Sequence, residues 1–457
     1  RDQTWLFALG TLSVQEYFAQ LYAHADVKAD PATAGRAMNA HFGTRYINPD
    51  GSWKDQTQEY NVSADVSPTG SQMPRLVGLA YASSLYRQSP ELQEGFEKFS
   101  KDGNEVAWGT IGNASTAEGM FWESVNAIGV LQAPAVITIY DDGYGISVPN
   151  EFQMVKENIG KILAGFQRDN DSNENTSHGY DIYSVRAWDY PALLDTYWAA
   201  SRTARQYHIP ALVHVTEVTQ PQGHSTSGSH ERYKSKERLE WEKEFDCNLK
   251  MRRWMIEREI ITDEELVSLE KEDLQAVEEE RKQAWNAFQA PILAEREKVA
   301  ELLDGLAESS SAKADVKAIR SKLTAFPQGL FREQHEAVHA ALRATRNENI
   351  AARKALVNWQ KEQDPVHESR FSDQLWSESD AALLKAEEVK PIFSADSPMI
   401  QAFDLLNHGF DAIFERDKRV VAFGEDVGHL GAVNQGFRGL QGKYGTLKIM
   451  DTGIREV

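Results

Sequence analysis

The sequence predicts an α/β protein: a parallel sheet covered by helices, then a helical arm, then the start of a second α/β domain. Three observations carry this. Short, β-rich runs bounded by Gly, Pro or Asp recur at Val106-Ala107-Trp108, Ala135 to Tyr140 and Ala211 to Val215, and they read as buried strands. Helix-length stretches alternate with them, at Thr116 to Leu131 and Tyr190 to Tyr207, an order that builds parallel sheets with helical cover. From about Ser235 to Glu388 the composition turns to Glu, Lys, Arg and Ala, which reads as long helices with solvated charged faces.

Taken in order, residues 1–245 form the first α/β domain and residues 246–390 the helical arm. Within the arm, Thr262-Asp263-Glu264-Glu265 is a capping box opening a helix, and Ser309-Ser310-Ser311 and Asp364-Pro365 read as breaks. After Lys390-Pro391 the α/β pattern resumes over residues 391–457. Met399 to Arg416 has the spacing of an amphipathic helix, and Arg419 to Phe423 reads as a strand closing at Gly424-Glu425-Asp426. A domain of ordinary size takes about a hundred residues more than this last segment holds, so it is expected to be the beginning of one.

Composition narrows the class. The chain has 457 residues, enough for about three domains, and its 41% hydrophobic content supports a large core. No apolar run is long enough to span a membrane. A net charge of −20 argues against a general nucleic-acid or anionic-membrane binder, since both need basic surface. A single cysteine, Cys247, excludes an intrachain disulfide and leads us to expect a reducing, cytoplasmic setting.

The most informative stretch runs from Gly112-Asn113-Ala114-Ser115-Thr116 to Asp141-Asp142-Gly143-Tyr144-Gly145. Small residues at a strand-to-helix turn let backbone amides approach phosphate oxygens. One helix and one strand later, the Asp-Asp-Gly turn falls at the same C-terminal sheet edge, where open α/β sheets bind ligands. The amide oxygen of Asn113, the carboxylate of Asp142 and a backbone carbonyl are three oxygen donors of the kind that hold Mg²⁺ beside a diphosphate. On spacing alone, the same two turns also read as plain Gly and Asp-Gly turns with no ligand.

The segment from Gly112 through Glu118-Gly119, Glu123, Asn126 and Pro134 to Asp142-Gly143-Tyr144-Gly145-Ile146-Ser147 resembles the cofactor motif of thiamine diphosphate enzymes. Specifically, it resembles the α subunit of the decarboxylating first component of 2-oxo acid dehydrogenase complexes, of the pyruvate and branched-chain types. The resemblance implies the thiamine diphosphate-binding fold, with Mg²⁺ held by Asn113, Asp142 and the Tyr144 carbonyl, and Gly112, Ala114 and Ser115 around the diphosphate. The family's opening acid is replaced here by Asn113 and its paired asparagines by Asp141 and Asp142, so acid and amide have exchanged turns.

Further matches carry the resemblance over roughly residues 1–235 and 396–457. Arg1-Asp2 resembles the end of a motif whose arginine contacts the diphosphate. The segment Ser63 to Pro74 resembles the loop against the aminopyrimidine ring, with Ser67 and Thr69 at the contact positions. Gly223-His224-Ser225-Thr226-Ser227 resembles the active-site loop, and His224 falls on the histidine near diphosphate and substrate. Ser225 lies where some relatives are phosphorylated. Gly424-Glu425-Asp426-Val427-Gly428 and Asp451-Thr452-Gly453-Ile454-Arg455-Glu456 resemble the β subunit of the same component. There Glu425 matches an acidic channel residue, and Glu456 the glutamate whose bond to the pyrimidine ring activates the cofactor.

The resemblance therefore implies α-like and β-like parts on one polypeptide, with oxidative decarboxylation of a 2-oxo acid as the activity. Branched-chain substrates are favoured, with pyruvate as the alternative. Implied partners are a lipoyl-bearing acyltransferase and further copies of the chain. Two readings of other classes remain. One is a non-catalytic interaction subunit. The other is a zinc protease at His335-Glu336-Ala337-Val338-His339, two histidines four apart on one helical face. Arg332, Glu333, Arg343 and Arg346 around that motif read as an exposed polar helix, and Glu348 is a poor third ligand.

Overall fold

The computed structural model describes residues 4–37, 41–64, 68–169, 178–224, 230–373, 375–377, 379–380 and 382–455. The chain divides into two compact units. One comprises Arg1–Lys54, Glu59–Asp65 and Glu264–Lys390, the other Asp55–Gln58, Val66–Asp263 and Pro391–Val457.

The second unit is built on a four-stranded parallel sheet. Its strands are β1 (Ala107–Gly112), β2 (Ala135–Tyr140), β3 (Asp181–Arg186) and β4 (Ala211–Thr216), in the order β1-β2-β4-β3. The two central strands are buried along almost their whole length, which is why they read as unbroken apolar runs. Side chains alternate between the two faces. Ile137, Ile139 and Leu212 pack beneath helices α1 (Gln72–Gln88) and α2 (Gly119–Leu131), against Met73, Leu76, Phe121, Val125 and Ile128. Val136, Val213 and Val215 pack on the other face, against Ala200 and Ala204 of α3 (Tyr190–Tyr207). Asp189 caps α3 by accepting from the Ala192 N–H, with Pro191 in the first turn. A Cβ on Gly109 would sit 2.6 Å from Leu76 Cδ2, so a glycine is what lets α1 lie this close to β1.

Strand β1 differs from the expectation of a buried run. Among the described residues it is an edge strand paired with β2, and Trp108 is 40% exposed.

The other unit is dominated by four helices: α4 (Asp263–Ser309), α5 (Lys313–Leu323), α6 (Phe331–Ala344) and α7 (Ala351–Ser372). They are not merely polar, because Val299, Leu303, Leu306, Val316, Val338, Ala341, Leu356 and Trp359 make a core of their own. N-terminal residues join this unit: Tyr22 packs on Trp285 and Phe288, and Glu280 accepts from the Gln15 N–H. The chain does break after Ser309, but Asp364-Pro365 is not a break, for α7 runs through Pro365. Most residues around it are exposed, so the backbone carbonyl deprived of its partner has access to water.

Near the C-terminus, α8 (Ala402–Arg416) packs Phe414 on Leu440 and Ile449, beside a parallel pair formed by β5 (Ala422–Gly424) and β6 (Ile449–Asp451). Within its unit this segment reaches α1, where the Tyr81 hydroxyl meets Met450 Sδ at 3.3 Å, and the turn just after α1, where Lys448 Nζ meets Glu91 at 3.0 Å. Among the described residues no helix is long and apolar enough to cross a membrane.

Candidate functional site

Gly112 of β1 lies opposite Tyr140 of β2 in a parallel pair, so the residues that follow both strands leave at one edge of the sheet. Asn113 is tied to that edge by its N–H, which donates to the Tyr140 carbonyl at 2.9 Å. Ala114–Ala117 then make a single tight turn, closed by the Thr116 hydroxyl donating to the Asn113 carbonyl, before α2 begins. After β2, Gly143 takes a φ of +86° and turns the chain back. Asp141 and Asp142 each fold over this turn: Asp141 Oδ1 accepts from the Gly143 N–H (2.9 Å) and Asp142 Oδ1 from the Tyr144 N–H (3.0 Å). The two turns touch. A Cβ on Gly145 would lie 2.6 Å from Ala114 Cβ and 2.6 Å from Gln153 Nε2.

Asn113, Asp141, Asp142 and His214 are all buried. His214 Nε2 donates to Asp141 Oδ2 at 2.9 Å, since a carboxylate can only accept. Asn150 Nδ2 donates to Asp141 Oδ1 at 3.0 Å, and Asn113 Nδ2 donates in turn to Asn150 Oδ1 at 2.6 Å. Burial alone would raise the Asp141 carboxyl, but the bonds from His214, Asn150 and Gly143 hold it below its ordinary value. Asp142 goes the other way. Burial pushes it up, against the pull of the Tyr144 N–H, Lys234 and Arg238, and the Asp141 charge adds to the push.

A basic clamp closes over the second turn. Arg238 Nη2 donates to the Asp142 carbonyl at 2.8 Å and its Nε to Glu242 at 2.9 Å. Lys234 is paired with Glu242 at 2.7 Å and stands 5.3 Å from the centre of the Tyr144 ring.

Other expected site residues fall as follows. Thr69 is exposed in the turn before α1. Its neighbour Gly70 (φ +78°) would place a Cβ 3.4 Å from Glu118 Cβ, and Gln72 Nε2 donates to the Thr110 carbonyl at 3.0 Å. That turn therefore sits beside the one at Gly112–Ser115. His224 is half-buried in the loop leaving β4, the neighbour of β2. Glu425 is exposed after β5, on the separate two-stranded sheet. Arg1, Ser67, Ser225 and Glu456 lie outside the described residues. The structure thus brings together Thr69's turn, Gly112, Asn113, Ala114, Ser115, Asp142 and Tyr144.

In the helical unit, the His335 ring packs tilted against Trp359 and edge-to-face against His367, Glu336 is exposed and paired with Arg332 at 3.4 Å, and His339 is exposed. Among the described residues no group of three or more His, Cys, Asp or Glu is placed to hold a metal ion. Three residues of the turn network escaped the sequence reading: Asn150, His214 and Arg238. His214 carried a signal, as a histidine inside an otherwise apolar buried strand. The other two carried none.

Fold and turns together define a parallel α/β protein with polar, oxygen-rich turns at the C-terminal sheet edge. The chain belongs to the dehydrogenase E1 component family, which matches residues 1–292 and is thiamine diphosphate-dependent. It is 25% identical over 292 residues to the 2-oxoisovalerate dehydrogenase subunit alpha of Bacillus subtilis, covering 64% of this chain and 75% of that one. It is also 48% identical over 58 residues to the 2-oxoisovalerate dehydrogenase subunit beta of Pseudomonas aeruginosa, covering 13% of this chain and 16% of that one. A pyruvate dehydrogenase E1 component subunit beta from Chlorokybus atmophyticus is 46% identical over 54 residues, 12% of this chain and 16% of that one. Likeness to both subunit types on one polypeptide makes this a fused α/β form.

Proposed function

We propose that this chain carries the diphosphate-anchoring part of a decarboxylating 2-oxo acid dehydrogenase and acts on branched-chain 2-oxo acids. The observation that carries the reading is the pair of packed turns that sets Asn113, Asp142 and Tyr144 at one sheet edge. The donor set fits Mg²⁺: an amide oxygen, a carboxylate and a backbone carbonyl are all hard oxygen ligands. Asp142 fits in a second way, because a buried carboxylate pushed up by desolvation gains from a cation at its side. When bound, thiamine diphosphate supplies the carbon nucleophile and electron sink for loss of CO₂ from a 2-oxo acid.

The chain's own residues do the positioning. Asn113, Asp142 and the Tyr144 carbonyl would hold the metal, and the turn at Gly112, Ala114 and Ser115 would supply backbone amides for the phosphates. By the family resemblance Arg1 would add charge to that contact, and Ser67 and Thr69 would face the pyrimidine ring; Arg1 and Ser67 lie outside the described residues. By the same resemblance Glu456, also outside the described residues, would bond a ring nitrogen. His224 orients the substrate and donates a proton toward its oxygen or the phosphate. Glu425 lines the approach. A lipoyl group on a partner acyltransferase takes the acyl product, and the chain works as an oligomer in the cytoplasm.

Branched-chain substrates are favoured because the α-type relatives are 2-oxoisovalerate dehydrogenases, while the β-type relatives also include pyruvate dehydrogenases. The test is CO₂ release with thiamine diphosphate, Mg²⁺ and an artificial electron acceptor. We expect faster turnover of 2-oxoisovalerate than of pyruvate. The reverse order moves the substrate to pyruvate, and no release from either supports a non-catalytic subunit.

A further inference from the structure

Beyond the three expected ligands, the buried turn contains a chain of hydrogen bonds with a fixed direction. It begins at Asp141, which has no proton to give. Oδ2 accepts from His214, and Oδ1 accepts from the Gly143 N–H and from Asn150. Asn150 must therefore turn its NH₂ towards Asp141, which leaves its Oδ1 as the end facing Asn113. An amide oxygen can only accept, so Asn113 must present its own NH₂ there. The amide of Asn113 is thereby set one way round, and its Oδ1 takes no hydrogen bond from the described residues. His214 is held in place in turn. Gly160 leaves room for its ring, since a Cβ there would lie 2.8 Å from His214 Nδ1.

We propose that Asn150, anchored by Asp141, is a positioning residue that orients the Asn113 amide so that its oxygen serves the metal. This rests on the reading of Asn113 as a ligand. It also gives a physical reason for the exchange of acid and amide between the two turns. An unoriented amide offers a cation its NH₂ as readily as its oxygen, whereas a carboxylate offers oxygen either way. With an acid at 113, Asn150 Oδ1 would instead face a second oxygen, and the relay from Asp141 would be frustrated.

The experiment is a double-mutant cycle on Mg²⁺ affinity, measured by titrating the metal into the chain with saturating thiamine diphosphate and following the heat. Thermal unfolding of each variant without cofactor checks that the fold survives. Asn150→Leu should weaken Mg²⁺ binding by about tenfold or more, the scale of losing an outer partner of a metal ligand. In an Asn113→Asp background the same substitution should change affinity by less than about threefold, or improve it, because a carboxylate needs no orienting. Equal losses in both backgrounds, or no loss in either, overturn the proposal. If the unaltered chain shows no Mg²⁺-dependent binding of thiamine diphosphate, the ligand reading itself falls, and the orienting role with it.

Discussion

His208 ends α3 in the left-handed region (φ +56°) and is buried. Its Nε2 faces the Gly103 carbonyl at 2.9 Å, which can only accept, so that nitrogen carries the proton and Nδ1 accepts from the Ser84 hydroxyl at 3.2 Å. Both nitrogens are used by the neutral ring, and burial lowers its pKa from the ordinary 6.5. The sign follows. The unfolded chain takes up the proton first, so the stability His208 contributes is complete above about pH 6.5 and lost as pH falls towards the lowered folded value. Asn tolerates the left-handed conformation and does not titrate. In urea denaturation at about pH 7.5 and about pH 5.5, His208→Asn should lose less stability on acidification than the unaltered protein. Parallel losses would contradict the assignment. At this scale the sequence was only partly legible. It pointed to Asp142 from the turn's position and donor chemistry, and family likeness strengthened that choice. What separates Asp142 from Asp141 physically is that Asp141 has both oxygens committed inward, which depends on Asn150 nine residues on and on His214 in a distant strand.

The elements that hold the site depend on a buried charge cluster. Lys234 and Glu242 have side chains 1% and 2% exposed, and Arg238 bridges Glu242 to the Asp142 carbonyl. Glu242→Leu leaves Lys234 buried without its partner and should cost about 3–5 kcal/mol of stability. Adding Lys234→Met should restore most of it, because an apolar pair of similar volume suits a buried position. If the double variant is no more stable than the single one in chemical denaturation, the pair is not the source of the loss. Central strands were the most legible elements, since burial on both faces leaves unbroken apolar runs at Ala135–Tyr140 and Ala211–Thr216. Edge strand β1 was misjudged because its apolar residues do not reveal that one side lacks a neighbour among the described residues. Pro365 was misjudged because propensity weighs a lost hydrogen bond without knowing that most residues around it are exposed.

Across the whole molecule, the helical unit's own core and its N-terminal partners were hidden by composition, since charge on the outer faces dominates the sequence of these helices. The stretch after α7 exposes Leu384, Ile392, Phe393 and Met399 almost completely. Apolar side chains strung along an exposed segment favour burial against another chain, which supports the proposed oligomer. Sedimentation at about 10 μM should give a dimer or larger, and a monomer would contradict that part of the account. The central claim is that this chain holds the diphosphate of thiamine diphosphate through a divalent cation. Its most direct test is calorimetric titration of thiamine diphosphate into the chain with Mg²⁺ and again with EDTA. Binding is expected with Mg²⁺ and should disappear with EDTA. Binding of equal strength in both, or in neither, would contradict it.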